Sequence, residues 1–166
     1  APLIEVAQAI KRGREKIDPR ETYVMVANHL SLLDILVLFR LFRHFKWVSK
    51  IENFRIPCVG WNMTLNRYIK LRRGNRESIK EMMAACERTL RAGSSIMMFP
   101  EGTRSKTGVL QPFKPGAFEL AIRTRVPLLP IVLSGTSDIL PKRGFVLRGR
   151  HPISITILDP IPPERF

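Results

Sequence analysis

An α/β fold, with a mostly parallel central sheet flanked by helices, follows from three features of this 166-residue chain. Apolar runs of strand length alternate with segments of helical periodicity from residue 22 to 133, the order that builds parallel sheets. Two of those runs, Tyr23–Ala27 and Ile96–Phe99, are apolar throughout, as strands covered on both faces are. The strands also run into segments carrying charged residues, and open α/β sheets bind ligands beyond the carboxyl ends of their strands.

Ile4–Ile10 reads as a strand or the end of a helix, and Gly13, Asp18 and Pro19 mark turns before a strand at Thr22–Ala27. The helix expected from Ser31 to about Arg43 is apolar on nearly every side, which sets it deep in the core or against another apolar surface. Lys46–Ser49 is a short strand ending at Lys50, and Ile56, Val59, Trp61 and Met63 make a short helix or turn. Arg67–Arg72 alternates, with Ile69 and Leu71 on one face and Tyr68, Lys70 and Arg72 on the other, and runs into the cationic turn Arg73–Arg76. Ile79, Met82, Met83, Cys86 and Leu90 keep helical spacing up to Gly93; that helix starts at a Ser78–Glu81 capping box or earlier, at Asn75. A polar loop from Glu101 to Lys114 follows Pro100, and loops this long inside a compact domain are usually functional. Pro115–Thr124 reads as a helix with Phe118, Ala121 and Ile122 inward. Leu128–Leu133 is a buried strand that carries Pro130; Phe145–Leu147 and Ile153–Leu158 are the last two strands, the second half exposed.

Charge narrows the function classes. Lys and Arg number 28 against 14 Asp and Glu, a net +14 spread over the whole length, which implies an anionic partner: nucleic acid, anionic lipid or a phosphorylated small substrate. No helix-turn-helix, zinc or aromatic-platform signature supports nucleic acid. Cys58 and Cys86 form neither a metal spacing nor a disulfide framework and point to a reducing compartment; Cys86 falls on an apolar helical stripe. The longest apolar run, Leu30–Phe39, is interrupted by Ser31 and Asp34 and is too short to cross a bilayer. No repeat or linker divides the chain, so residues 1–166 form one domain.

His29 and Asp34 carry the chemistry. Along one continuous helix their spacing amounts to about 500° of rotation, which leaves the side chains some 140° apart. Across a strand-to-helix turn both can enter one cleft, where a histidine oriented by a carboxylate serves as a general base near neutral pH. Asp34 taken alone also fits a helix N-terminus, with Ser31 as the cap. His29, Lys50, Arg73 and Glu101 each follow a strand and so gather a base, two cations and a carboxylate at one edge. Singly, Lys50 also reads as a solvated charge, Arg73 as basic surface and Glu101 as a turn residue.

Asn28-His29, four residues, Asp34, then Phe99-Pro100-Glu101-Gly102-Thr103-Arg104-Ser105 further on, together resemble the glycerolipid acyltransferases, including the 1-acylglycerol-3-phosphate acyltransferases of bacterial type. Gly13–Ile17, Lys50 with Glu52, Phe113–Ala117 and Val126–Pro130 extend the resemblance over nearly the whole chain. It implies a fold of that family, with His29 as general base and Asp34 as its partner. It implies Arg73 on the acceptor's phosphate with Lys50 nearby, Glu101 and Gly102 on the glycerol, and Thr103 and Arg104 in the same substrate-binding string, Arg104 on the phosphate. Arg72 stands where the family often has an acidic residue. The implied reaction takes an acyl group from an acyl-CoA or acyl carrier protein thioester to a lysophospholipid, with no cofactor, metal or nucleic acid. Glycerol 3-phosphate, another lysophospholipid or a lyso-aminolipid are alternative acceptors, and a metal-dependent hydrolase is a distant alternative lacking further ligands. The resemblance places the protein on an anionic membrane surface, at the cytoplasmic face of the bacterial inner membrane, and expects an N-terminal membrane-associated segment ahead of this chain.

The chemistry agrees. Acyl transfer from a thioester to an alcohol requires a base for the hydroxyl proton, which His29 supplies. Asp34 would fix the imidazole tautomer and stabilise the imidazolium. Backbone N–H groups near Glu101–Thr103 are candidate donors to the oxyanion, and arginine suits bidentate phosphate binding.

Overall fold

A computed structural model describes residues 9–41, 43–140 and 151–166. Its strands are β1 (Ile10–Arg12), β2 (Val24–Ala27), β3 (Phe45–Lys50), β4 (Ile69–Leu71), β5 (Ser95–Met98), β6 (Leu128–Ser134) and β7 (Ser154–Ile157). Its helices are α1 (Leu33–Phe39), α2 (Val59–Leu65), α3 (Arg76–Arg91), α4 (Gly116–Thr124) and α5 (Thr136–Ile139). The strands form one sheet in the order β1-β7-β6-β2-β5-β3-β4, parallel except where β7 runs antiparallel to β6. The expected α/β fold with a mostly parallel sheet is what the chain forms.

Strand β2 lies between β5 and β6, with Met25 level with Met97 and with Leu129. Its side chains alternate between two cores. Met25 and Ala27 pack with α1 residues Leu33, Val37 and Leu38. Val24 and Val26 pack with Met82, Met83, Cys86 and Leu90 of α3 and with Ala117, Leu120 and Ala121 of α4. Burial on both faces explains why β2 is apolar at every position. Each large apolar side chain so buried contributes about 1.5–3 kcal/mol. On the α3–α4 surface Glu87 ties the two helices together, accepting from Arg91 and from Arg123, both at 2.9 Å. Burial pushes the Cys86 thiol up to about 12, so it is an inert core group at neutral pH.

Several local readings need correction. Helix α1 spans seven residues and stops well before Arg43. Its last turn tightens, with Arg40 N–H donating to Val37 and Leu41 N–H to Leu38, and the chain then returns to lay Phe45 beside Ser95 of β5. Helix α3 starts at the earlier of the two candidate positions: Asn75 caps it by accepting from Ser78 N–H at 2.8 Å. Ile79, assigned to the buried stripe, is 41 % exposed. The inward face of α4 is Ala117, Leu120 and Ala121; Ile122 is 52 % exposed, lying about 100° round the helix from Ala121. Pro130 is tolerated in β6 for a positional reason. Leu128 N–H points away from β2 to the Ile161 carbonyl, so at period two the Pro130 nitrogen faces the same way, just before β7 pairing begins at Ile131. The strand expected at Phe145–Leu147 and most of Ile4–Ile10 lie outside the described residues.

Because β2 to β6 are parallel neighbours, their carboxyl ends share one edge. The segments leaving that edge are His29–Asp34 after β2, Ile51 onward after β3, Arg73 after β4, Glu101 after β5 and Gly135–Thr136 after β6.

Candidate active site

At that edge the chain leaving β2 makes a tight turn around one carboxylate. Asp34 Oδ2 accepts from Leu30 N–H at 2.7 Å, Ser31 N–H at 2.8 Å and the His29 ring at 2.8 Å. Asp34 Oδ1 accepts from the Thr136 hydroxyl. Asp34 is fully buried, and its four donors satisfy both of its oxygens there. A carboxylate can only accept, so the ring atom facing it, Nδ1, carries the proton; Nε2 is then the proton acceptor of the ring. The side chain of His29 is 13 % exposed and its ring stacks on Phe99, centroids 3.9 Å apart at 9°.

Both expectations for Asp34 thus meet in one residue: it orients His29 and it collects the N–H groups ahead of α1. Leu32 directly precedes α1 but already has helical backbone angles, and Ser31 does the work of the cap: its hydroxyl accepts from Leu33 N–H at 3.2 Å while Asp34 accepts from Ser31 N–H. The same hydroxyl donates to the Leu140 carbonyl at 2.7 Å.

Glu101 is 3 % exposed and works on the backbone. Its Oε1 accepts from His29 N–H at 2.7 Å and its Oε2 from Gln111 N–H at 2.9 Å. Ser105 N–H donates to the His29 carbonyl at 2.8 Å. The loop after β5 therefore grips both peptide groups of His29 and closes on itself. Glu101 is thereby set beneath the surface, while its neighbours Pro100 and Gly102 line the cleft above.

That cleft is a groove of about 1150 Å³. His29 lines it together with Lys50, Arg73, Gly102, Thr103 and Arg104, so six of the eight residues named from sequence share one wall system, with Asp34 and Glu101 behind it. Lys114, not singled out from sequence, adds a further cation: its side chain crosses Gly102, where a Cβ would stand 2.9 Å from Lys114 Cε. Gly102 has φ +72°, which favours glycine there, and its missing Cβ leaves the room that the Lys114 side chain takes up. Burial lowers the pKa of Arg73, and the charge of nearby Glu52 works against that shift; the guanidinium stays charged at any physiological pH. The rest of the lining is mostly apolar, with Ile56, Met63, Ile79, Met83 and Met98 beside a few polar residues such as Asn53, Asn62 and Glu119. Cations and a histidine base in a mostly apolar groove suit an anionic lipid. Among the described residues no group of three or more His, Cys, Asp or Glu gathers as a metal site would.

The family model for acyltransferases matches residues 8–134. The chain belongs to that family. It is 38 % identical over 156 residues to a 1-acyl-sn-glycerol-3-phosphate acyltransferase of Chlamydomonas reinhardtii, covering 92 % of this chain and 46 % of that protein. It is 38 % identical over 159 residues to the protein of the same name from Saccharomyces cerevisiae, covering 93 % and 52 %. The crystal structure of the 1-acyl-sn-glycerophosphate acyltransferase PlsC from Thermotoga maritima matches with a TM-score of 0.82 at 30 % identity, over 95 % of this chain and 63 % of that one. The chain thus spans about half the length of the curated relatives it matches.

Besides Lys114, two residues of the site escaped the sequence reading. Asn28 stands in the family motif, yet its work is visible only in three dimensions: its amide accepts from Leu133 N–H at 2.7 Å and donates to the Leu133 carbonyl at 2.9 Å, pinning the turn to β6. Thr136 lies past the end of the family match, and nothing local marks it.

Proposed function

We propose that this chain is the catalytic part of an O-acyltransferase that moves a fatty acyl group from an acyl thioester to the free hydroxyl of 1-acylglycerol 3-phosphate, giving phosphatidic acid. The observation that carries the reading is the His29–Asp34 pair, with His29 lining a mostly apolar groove that also carries Lys50, Arg73, Arg104 and Lys114. His29 Nε2 takes the hydroxyl proton as the oxygen attacks the thioester carbonyl. The C–O bond forms, the C–S bond breaks, and the proton passes from the imidazolium to the leaving thiolate. Asp34 balances the imidazolium charge while it lasts. Lys50, Arg73, Arg104 and Lys114 supply the charge for the acceptor's phosphate, and Gly102 and Thr103 line the same groove. For Glu101 the fitting role is to hold His29 and Gln111 in place, through the two N–H groups it accepts. The deciding assay supplies acyl-CoA and acyl carrier protein thioesters in turn and offers lysophosphatidate, glycerol 3-phosphate, zwitterionic lysophospholipids and lyso-aminolipids. Turnover with none of them overturns the reading; a preference other than lysophosphatidate moves it to that acceptor, and Arg72 is the departure that would bear on it.

The phosphate assignment has its own test. Arg73→Ala and Arg104→Ala should each raise the acceptor's KM about 10- to 100-fold, the worth of a hydrogen bond to a charged group, and leave the donor's KM nearly unchanged. Loss of donor affinity alone would refute it.

Exposed apolar side chains on and beside the groove-lining helices support membrane docking. Leu32, Phe39 and Val59 line the groove, and Leu36 of α1 and Trp61 and Leu65 of α2 are exposed on the same two helices, Trp61 at 67 % and Leu65 at 83 %. No helix among the described residues is long and apolar enough to cross a membrane. Lys and Arg near an anionic surface contribute about 1 kcal/mol each, within a Debye length of ~8–10 Å. Co-sedimentation with anionic vesicles should therefore weaken as salt rises, with a residue of salt-resistant binding that Trp61→Ser removes. Binding that is indifferent to both salt and Trp61 would refute this docking mode.

A further inference from the structure

We infer that Thr136 is a positioning residue of this reaction, acting through Asp34 on His29. This rests on the acyl-transfer reading for its kinetic meaning, although the contact stands without it. Thr136 has no exposed surface, and its hydroxyl is the donor given to Asp34 Oδ1, whereas Oδ2 has three donors. One oxygen fixed by three donors still leaves the carboxylate able to swing about it. The hydroxyl on the second oxygen sets its plane, and with it the direction of the bond to His29 Nδ1.

The fold places that hydroxyl deliberately far along the chain. Strand β6 lies beside β2, so the segment leaving β6 emerges next to the segment leaving β2. Gly135 makes the corner with φ +84°, and a Cβ there would stand 2.0 Å from the Pro152 carbonyl oxygen; only glycine fits. Thr136 then opens α5 directly behind Asp34. The same short segment reaches the turn three times: Leu133 holds Asn28, Thr136 holds Asp34, and the Leu140 carbonyl holds the Ser31 hydroxyl. Thr136 also accepts Leu140 N–H at 3.0 Å, which closes α5 upon itself.

Asn28 and Ser31 meet the segment through neutral groups that only fasten the turn. Thr136 differs because its proton shares the negative charge that faces the imidazole. Remove the donor and keep the shape, as in Thr136→Val, and Oδ1 is left buried without a partner, while more of the carboxylate's charge falls on the Nδ1 proton. The titratable and charged groups around His29 are Asp34 on α1, Glu101 under its backbone, and Lys50, Arg73, Arg104 and Lys114 along the groove. The substitution removes none of them and touches only Asp34 directly.

The experiment compares wild type, Thr136→Val and Thr136→Ser for kcat, KM, pH profile and melting temperature, and follows the His29 imidazole by NMR titration, assigned with His29→Ala. For Thr136→Val the expected result is a fall in kcat of about tenfold or more with KM nearly unchanged, a loss on the scale of one charge-assisted hydrogen bond. The acid limb of kcat/KM and the His29 NMR midpoint should both move to higher pH, and Thr136→Ser should restore all three. A lower melting temperature with kcat and both pH midpoints unmoved would mean that Thr136 only packs the turn, and would overturn the inference. The two readings fail separately. Wild type inactive on every acceptor, with the NMR midpoint still moved in Thr136→Val and restored in Thr136→Ser, overturns the proposed function and leaves the positioning role in place. If Thr136→Val does not fold, a normal His29 midpoint in folded Thr136→Ala overturns the inference, and a raised one supports it.

Discussion

His29→Ala is expected to lower kcat about 10²- to 10⁴-fold, the usual contribution of a general base, while the protein remains folded. The reason for the second half lies in where the ring sits. Its contacts are the stack on Phe99 and the hydrogen bond to Asp34, and the peptide groups of His29 are held independently by Glu101 and Ser105. Losing the stack costs about 0.5–1.5 kcal/mol, a small part of a domain's stability. The acceptor's KM should change little, because the cations that line the groove stay in place. Near-normal turnover in a folded His29→Ala protein would end the general-base mechanism, whatever the family.

How far the site could be read from sequence follows from the range over which each residue acts. His29 and Asp34 were legible because one local turn holds them, and a strand pattern stops just before it. Lys50, Arg73 and the loop from Glu101 were legible as a group because parallel strands put all their carboxyl ends on one side, a rule of topology that needs no coordinates. The task of Glu101 was not legible. Its two oxygens are taken by N–H groups 72 and 10 residues away in sequence, and backbone donors have no sequence signature. Lys114 was hidden for a related reason: it reaches the groove by lying across Gly102, a packing relation between two ends of one loop. Thr136 and Asn28 depend on β6 pairing beside β2, which skips three intervening strands in sequence and cannot be ordered by local pattern. The misread faces, Ile79 in the groove wall instead of the packed core and Ile122 outward on α4, have a simpler origin. Ile79 lies in the first turn of α3, at the groove, and the apolar residues of α4 from Ala117 to Ile122 span about 200° of the helix, so their spacing alone does not choose the inward ones.

Asp34→Ala should be the most damaging single change in the chain, and Asp34→Asn separates the two reasons why. Alanine removes the acceptor for four donors at once: the His29 ring, Leu30 N–H, Ser31 N–H and the Thr136 hydroxyl. Each buried donor left unpaired costs about 1–3 kcal/mol, so the loss should reach several kcal/mol and loosen the turn before α1. Asparagine has the same shape. Its carbonyl oxygen can take the place of Oδ2 and accept all three of those N–H donors, and its NH₂ can donate to Thr136, whose hydroxyl turns to accept. The turn should therefore survive in Asp34→Asn, with a melting temperature much nearer wild type than that of Asp34→Ala. Activity should not survive with it. Without the carboxylate charge nothing opposite Nδ1 balances the imidazolium formed when His29 takes the hydroxyl proton, and kcat should fall at least 10²-fold, toward the level of His29→Ala. Thermal unfolding and turnover measured on both variants give the outcome directly. A folded Asp34→Asn enzyme with near-wild-type kcat would mean that the hydrogen bonds of Asp34, and not its charge, are what catalysis uses.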